Sequence, residues 1–220
     1  MRFLTTEMHR ELINLKNEVS KMGHFALNML NDSINSLYDQ DIQLASEVLD
    51  KKDLIRDYDN QIEEKTLKLL MLYQPMAVDL RTLAAILKII TYLHRIGRYG
   101  KDIADVVKKH LSDKQVALNL VNLRHVYEHV QSMIEDALTA FEKMDISLIN
   151  DFEIRDDEVD KLRWSIFREC LTYMIEDPKY ITECAHYMMF ARYLERCGDH
   201  ACKIAEKVYY MVTGNHIEIS

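Results

Sequence analysis

The chain has 220 residues, of which 48% are hydrophobic and 29% are charged, and its net charge is −8. With 5 Gly and 2 Pro residues, the composition disfavours all-β and loop-rich folds and favours long helices. The negative charge disfavours nucleic-acid binding, because no surplus of Lys and Arg is present to neutralise phosphates.

Apolar periodicity and turn signals predict six long helices. The two prolines, Pro75 and Pro178, are each placed at the start of a helix, where the missing N–H is harmless. The segment YDQD is predicted to end the first helix, and Ser112 is predicted to cap the fourth. The predicted helices span residues 5–38, 41–73, 76–110, 113–144, 147–176 and 178–213.

The third and sixth predicted helices have related sequences. Between residues 92–104 and 193–205, six of thirteen aligned positions are identical. In both segments, small and apolar residues recur at steps of three and four, which marks a narrow helix face that a neighbouring helix can approach closely. We therefore predict an all-α fold of two tandem three-helix bundles related by an internal repeat, with repeats in residues 1–110 and 111–220.

Four acidic residues are predicted to meet in the second repeat. Asp156 and Asp160 lie 22 and 18 residues before Pro178. Asp199 and Glu195 lie 21 and 17 residues after it, so in an antiparallel hairpin Asp156 is level with Asp199 and Asp160 is level with Glu195. The two acids of each helix are four residues apart and therefore lie on one face. Clustered carboxylates repel one another unless they are neutralised, and oxygen ligands suit hard cations such as Mg²⁺, Ca²⁺, Mn²⁺ or oxidised iron. The alternatives are a metal site or a solvated rim neutralised by neighbouring arginines.

The corresponding positions of the first repeat are basic. They are Lys52, Arg56, His94 and Arg98. A hard cation does not bind four basic side chains, so the alternatives are an anion site, an acidic docking partner, or local pairing with Asp53, Asp57 and Asp102. We favour local pairing. A register shifted by one residue would place Asp53 and Asp57 there instead, because one residue turns a helix by about 100°.

The remaining candidates for chemistry are weaker. The four cysteines form no CxxC motif and are interpreted as free thiols in a reducing cytosol. His125 and His129 could offer two metal ligands, but no third is evident, and ordinary surface or core histidines are the favoured interpretation. No apolar signal segment, membrane span or catalytic motif is found. We therefore expect a cytoplasmic protein that is not an enzyme.

Motifs in both halves resemble the PhoU family. They are QPMAVDLR in the first repeat, and MIEDPKYI and ARYLERCGDHACKIAE in the second. The resemblance covers nearly the whole chain and implies a negative regulator of phosphate uptake and phosphate-responsive signalling. The implied partners are the ATPase of a phosphate ABC transporter and a sensor kinase, so that the membrane is reached only peripherally, through the transporter. The apolar surface of such a bundle also favours a homo-oligomer, with a dimer preferred.

The resemblance also implies a metal site. The family's repeated E(D)xxxD motif binds multinuclear metal clusters in some members, and here it carries over to Asp156, Asp160, Glu195 and Asp199. It does not carry over to the first repeat. Iron is one expected ion, and Mg, Mn, Ca and Zn stay open. A carboxylate-bridged oxidase is an alternative function, but such sites use Glu-x-x-His pairs, and none occurs near these acids. A purely structural helical adaptor is the third alternative.

Overall fold

The structure, a computed structural model, describes residues 2–110 and 122–219. Within these ranges the chain is all-α, which confirms the predicted fold class. Seven α-helices follow one another in the same ranges. They are α1 (Arg2–Asp39), α2 (Ile42–Asp50), α3 (Lys52–Tyr73), α4 (Ala77–His110), α5 (Leu123–Lys143), α6 (Phe152–Glu176) and α7 (Ile181–Thr213). The predicted cap at Ser112 lies outside the described residues.

The predicted helix 41–73 is wrong in one respect, because it is interrupted at Lys51. α2 begins after Asp41, whose side chain accepts a hydrogen bond from the backbone of the first turn. At the end of α2, the N–H of Lys51 donates to the carbonyl oxygen of Val48 in a tightened turn. The ammonium group of Lys51 lies 2.7 Å from the Asp32 carboxylate of α1. This ion pair ties the interruption to the first helix.

Short 3₁₀ turns also shift two predicted helix starts. The turn Ser147–Ile149 precedes α6, and the turn Pro178–Tyr180 precedes α7. The side chain of Asp177 accepts a hydrogen bond from the N–H of Lys179 and so caps the second turn. Pro178 therefore begins a helical segment as predicted, but that segment starts with 3₁₀ geometry.

Two three-helix bundles surround one continuous apolar core. The first contains α1, α4 and the interrupted pair α2–α3, and the second contains α5, α6 and α7. The central helices α4 and α7 also pack on each other and so join the two bundles. Their buried faces are those predicted from the steps of three and four. The buried residues include Ile90, Leu93, Gly97, Gly100, Ala104 and Val107 on α4, and Ala191, Leu194, Gly198, Ala201, Ala205 and Val208 on α7.

Aromatic contacts between α4 and α7 show how the repeats are related. The ring of Tyr92 stacks on His200, with centroids 5.7 Å apart, and the ring of Tyr99 stacks on Tyr193 at 5.3 Å. In the aligned repeats, Tyr92 corresponds to Tyr193 and Tyr99 corresponds to His200. Exchanging the two repeats therefore converts one contact into the other, as at a two-fold interface. The two repeats are related by a pseudo-two-fold axis between antiparallel helices.

The four cysteines are buried and free, as predicted. Cys170 of α6 and Cys184 of α7 share a hydrogen bond between their thiols. Burial raises the pKa of the Cys170 thiol to about 12, so this thiol stays protonated near neutral pH. These thiols contribute to packing between the two helices.

Candidate functional site

Two antiparallel helices bring the four predicted acids together. Asp156 and Asp160 lie on α6, and Glu195 and Asp199 lie on α7. Burial, followed by the charges of Asp199 and Asp160, raises the pKa of Asp156. Burial and the charge of Asp199 likewise raise the pKa of Glu195. The carboxylates are thus close enough to repel one another. We call these four residues the acid cluster.

The carboxylate of Asp156 packs against α7 at Gly198. A Cβ atom at Gly198 would lie 3.7 Å from Oδ1 of Asp156 and 3.7 Å from Cγ1 of Val159. The Asp156 carboxylate therefore rests close to the backbone of α7. It also accepts a hydrogen bond from the thiol of Cys202, which is buried beneath it. α7 thus supplies a hydrogen-bond donor to this carboxylate.

Arginines neutralise two members of the acid cluster. Arg192 pairs with Glu195, and Arg196 pairs with Asp199 at 2.9 Å. The Nε atom of Arg163 lies 4.0 Å from Oε1 of Glu195. The α7 half of the acid cluster is therefore charge-compensated, as one of the predicted alternatives requires.

The α6 half of the acid cluster is not compensated in this way. Asp156 and Asp160 have no Lys, Arg or His nitrogen within 4.0 Å among the residues that the structure describes. On the α7 side, Glu195 is 7% exposed, and its Oε2 atom accepts no hydrogen bond from any described residue, although Nε of Arg196 lies 4.0 Å away. A buried carboxylate oxygen without a hydrogen bond is costly. The acid cluster therefore retains a deficit of positive charge.

The donor chemistry of the acid cluster fits a hard cation, because carboxylate oxygens are the ligands that such ions prefer. In the structure, the four side chains of the acid cluster do not surround one common point. In the described ranges, no group of three or more His, Cys, Asp and Glu residues is placed to hold a metal ion. Glu195 is engaged by Arg192, so a cation at this position would have to replace that guanidinium.

Packing against two glycines fixes how the repeats correspond. A Cβ atom at Gly97 would lie 3.0 Å from Ile55, and one at the aligned Gly198 would lie 3.7 Å from Val159. Ile55 and Val159 are therefore equivalent. In this register the acids of the second repeat correspond to basic residues of the first, and the register shifted by one residue is excluded. The basic residues are Lys52, Arg56, His94 and Arg98.

Local pairing neutralises part of this basic set. Arg56 pairs with Asp53 at 3.0 Å, as predicted. His94 Nδ1 lies 3.4 Å from Oδ2 of Asp59, a partner that the sequence did not single out. Arg98 has no carboxylate oxygen within 4.0 Å among the described residues. Local pairing with the predicted acids therefore holds for Arg56, whereas His94 contacts a different acid.

A pocket on α4 is lined in part by His94 and Arg98 of this basic set and was missed from the sequence. Its volume is about 290 Å³. It is lined by Thr91, His94, Arg95, Arg98, Tyr99 and Asp102. The expected partner Asp102 pairs with Lys101 at 3.0 Å instead of with the basic set. The recurrence of polar residues at helical spacing from Thr91 to Asp102 is the signal that would have found it. We call it the basic pocket.

The two histidines of α5 lie together on the surface. The rings of His125 and His129 meet edge to face with centroids 4.7 Å apart. Each has a glutamate nearby, since Glu128 lies 3.9 Å from His125 and Glu158 lies 3.8 Å from His129. The pair therefore lies on the surface beside two acidic residues, in agreement with the favoured interpretation of ordinary surface or core histidines.

Comparison with known proteins shows the same family twice along the chain. The family model described as the PhoU domain matches residues 19–107 and 123–208. The chain is 37% identical over 205 residues to the phosphate-specific transport system accessory protein PhoU homolog of Rhizobium meliloti, covering 93% of this chain and 86% of that protein. It is 31% identical over 211 residues to the homolog of the same name from Clostridium acetobutylicum, covering 96% of each.

Solved structures match over almost their full length. The crystal structure of PhoU from Pseudomonas aeruginosa has a TM-score of 0.89 and 34% sequence identity, covering 94% of this chain and 99% of that one. The phosphate transport system regulatory protein PhoU from Streptococcus pneumoniae has a TM-score of 0.87 and 25% identity, covering 96% and 99%. The two bundles and their arrangement are therefore shared with these proteins.

Proposed function

The chain belongs to the PhoU family, and we propose that it is an accessory protein that restrains a phosphate-specific transport system and phosphate-responsive signalling through protein contacts. The double family match over most of the chain is the observation that carries this proposal. The names of the relatives, which are accessory proteins of phosphate transport, support it. No helix in the described ranges is long and apolar enough to cross a membrane, so contact with a transporter would be peripheral.

Exposed apolar side chains at the ends of both hairpins offer surfaces for such contacts. In the first repeat, Met71 is 71% exposed and Met76 is 81% exposed beside the turn between α3 and α4. In the second, Ile175 is 84% exposed and Ile181 is 50% exposed beside the turn between α6 and α7. The centres of protein interfaces are more apolar than the rest of the surface and are enriched in Met. We therefore propose that the hairpin ends contact the transporter ATPase, a sensor kinase or a second copy of the chain.

Binding to the transporter ATPase tests the role directly. The purified chain would be titrated with the cytoplasmic ATPase subunit of the phosphate transporter from the same organism, and with the ATPase of an unrelated transporter as control. We expect binding to the first protein alone. We also expect Met76→Asp and Ile175→Asp to weaken it, whereas Ile154→Asp, at an exposed site away from the hairpin turns, serves as the matched control. No binding, together with unchanged phosphate uptake after deletion of the gene, would contradict the proposal.

We further propose that the acid cluster is a metal site. Asp156, Asp160, Glu195 and Asp199 would hold a hard cation, with iron, Mn, Mg or Ca as the candidates and Zn less suited to oxygen ligands alone. The bound ion would supply the positive charge that Asp156 and Asp160 lack. The protein would use it to stabilise and shape the surface of the second repeat rather than to carry out a reaction.

A non-enzymatic role agrees with the names of the relatives, which are accessory and regulatory proteins. The alternative of a carboxylate-bridged oxidase is not supported by these names. It also lacks the Glu-x-x-His pairs that such sites use near their acids. Consumption of oxygen or peroxide by iron-loaded protein would be the observation in its favour.

A further inference from the structure

We propose that the basic pocket on α4 binds a small multivalent oxyanion, for which inorganic phosphate is the test ligand. The two residues that would carry the binding are Arg95 and Arg98. The inference concerns the purified chain alone and does not depend on the proposed regulatory role.

First, the basic pocket contains two arginines that are not paired with a carboxylate of any described residue. Neither Arg95 nor Arg98 has a carboxylate oxygen within 4.0 Å among the residues that the structure describes. The only carboxylate that lines the pocket, Asp102, is already paired with Lys101 at 3.0 Å. Neither guanidinium group is therefore paired with a carboxylate in the described ranges, and an oxyanion in the pocket would supply the negative charge that both lack.

The second step is the geometry of the donors. Arg95 and Arg98 are one turn apart on α4, and Thr91 is one turn before Arg95, so all three face the same side of the helix. Guanidinium groups present paired N–H donors that match the oxygen spacing of phosphate and similar oxyanions. The Thr91 hydroxyl, which lines the same pocket, offers a further polar contact. Both arginines are exposed, so a ligand can reach them from solvent.

The third step is the rigidity of the pocket walls. The ring of Tyr99 is stacked on Tyr193 at 5.3 Å and on His200 at 6.0 Å, which fixes that wall across the pseudo-two-fold axis. On the other side, His94 is held by Asp59 at 3.4 Å. A volume of about 290 Å³ between fixed walls suits a small ion rather than a helix of a partner protein.

The two repeats therefore differ in the charge of the ligand that each would accept. His94 and Arg98 correspond to Glu195 and Asp199 of the acid cluster in the aligned repeats. The same place in the same fold thus carries a deficit of positive charge in the second repeat and a surplus in the first.

Isothermal titration calorimetry of the full chain with inorganic phosphate at low ionic strength tests the inference, because salt screens exposed charges. We expect saturable binding that sulfate competes for and that chloride at equal ionic strength does not. Arg98→Gln is expected to weaken the affinity about tenfold or more, since it removes a bidentate charged donor. Arg56→Gln is the matched control, because that guanidinium is paired with Asp53 and lies outside the pocket lining.

Two outcomes would overturn the inference. An absence of phosphate and sulfate binding at millimolar concentration would overturn it, and so would equal losses in Arg98→Gln and Arg56→Gln. Circular dichroism of each variant would show whether the fold is retained. If Arg98→Gln fails to fold, Arg95→Gln gives the same test from the neighbouring turn. Failure of phosphate binding would leave the contact with the transporter ATPase untouched, so the two proposals fail separately.

Discussion

His94 Nδ1 lies 3.4 Å from Oδ2 of Asp59, and the aligned contact of the second repeat, between Glu195 and Arg163, has the acidic and the basic residue exchanged. In both repeats it joins the third helix of a bundle to the helix before it. In the first repeat the basic member is on α4, whereas in the second it is on α6. The fold therefore keeps the contact and exchanges its acidic and basic members.

The exchange of charges can be tested with a double-mutant cycle. His94→Glu alone would place a carboxylate against Asp59 and is expected to lower the free energy of unfolding by about 0.5–1 kcal/mol. Adding Asp59→Arg recreates the pairing of Glu195 with Arg163 and is expected to restore most of that loss. Urea-induced unfolding measures each step, and His9→Glu at an exposed site of α1 is the control. Simple additivity of the two changes would show that the contact carries no coupling.

Two glycines of the central helices are expected to differ sharply in their tolerance of alanine. A Cβ atom at Gly100 would lie 2.8 Å from the carbonyl oxygen of Met29, a backbone atom of α1 that cannot easily move. At Gly198 the nearest atom would be 3.7 Å away, which is an ordinary contact. We expect Gly100→Ala to destabilise the fold by about 1–3 kcal/mol. Gly198→Ala is expected to be neutral, or stabilising by up to about 1 kcal/mol, through helix propensity.

Thermal unfolding followed by circular dichroism compares these two variants directly. Each serves as the control for the other, because both place one methyl group in a buried face of a central helix. Equal losses of stability would show that the close approach of α1 to α4 is not what requires Gly100.

Asp156→Asn is expected to stabilise the metal-free protein at neutral pH. Burial and the neighbouring charges of Asp199 and Asp160 raise the pKa of Asp156 above its ordinary value of 3.8. The folded state therefore holds a proton that the unfolded state has lost, so stability falls as the pH rises from 3.8 through the raised pKa. Above that pH range, removing this charge should raise the free energy of unfolding by about 0.5–1 kcal/mol. It should also make the decrease of stability with rising pH smaller.

Urea unfolding of chelator-treated protein across this pH range measures the effect. Asp57→Asn is the control, because it removes an exposed carboxylate of the first repeat, outside the acid cluster. A loss of stability at neutral pH in Asp156→Asn would show that the ionised carboxylate stabilises the metal-free fold, contrary to this expectation.

Much of the fold follows from features that act over short distances. The two prolines and the steps of three and four along α4 and α7 predicted the hairpins and their buried faces. Counting from Pro178 placed the acids of α6 level with those of α7. Counting from Pro75 did the same for the basic residues of the first repeat, because an antiparallel hairpin fixes that relation. The pairing of Arg56 with Asp53 was also predictable, since both lie on one helix, three residues apart.

The features that were missed depend on contacts between distant segments. The interruption at Lys51 comes with an ion pair to Asp32 of another helix, and no local signal marks it. The same pairing recurs in the second repeat, where Arg155 lies 2.8 Å from Asp136. The recurrence of polar residues along α4 marks the helix face that carries the basic pocket, but the position of the Tyr99 wall depends on stacking across the pseudo-two-fold axis, which the sequence does not show.

The metal content of the acid cluster is the measurement that tests the central claim most directly. Protein purified without a polyhistidine tag would be analysed by inductively coupled plasma mass spectrometry, before and after mild chelation. The account predicts near-stoichiometric Fe, Mn, Mg or Ca in the native chain, and loss of that metal in Asp160→Asn and Asp199→Asn but not in Asp57→Asn. An absence of metal from the native chain even after incubation with these cations, or an unchanged content in the two cluster variants, would contradict it.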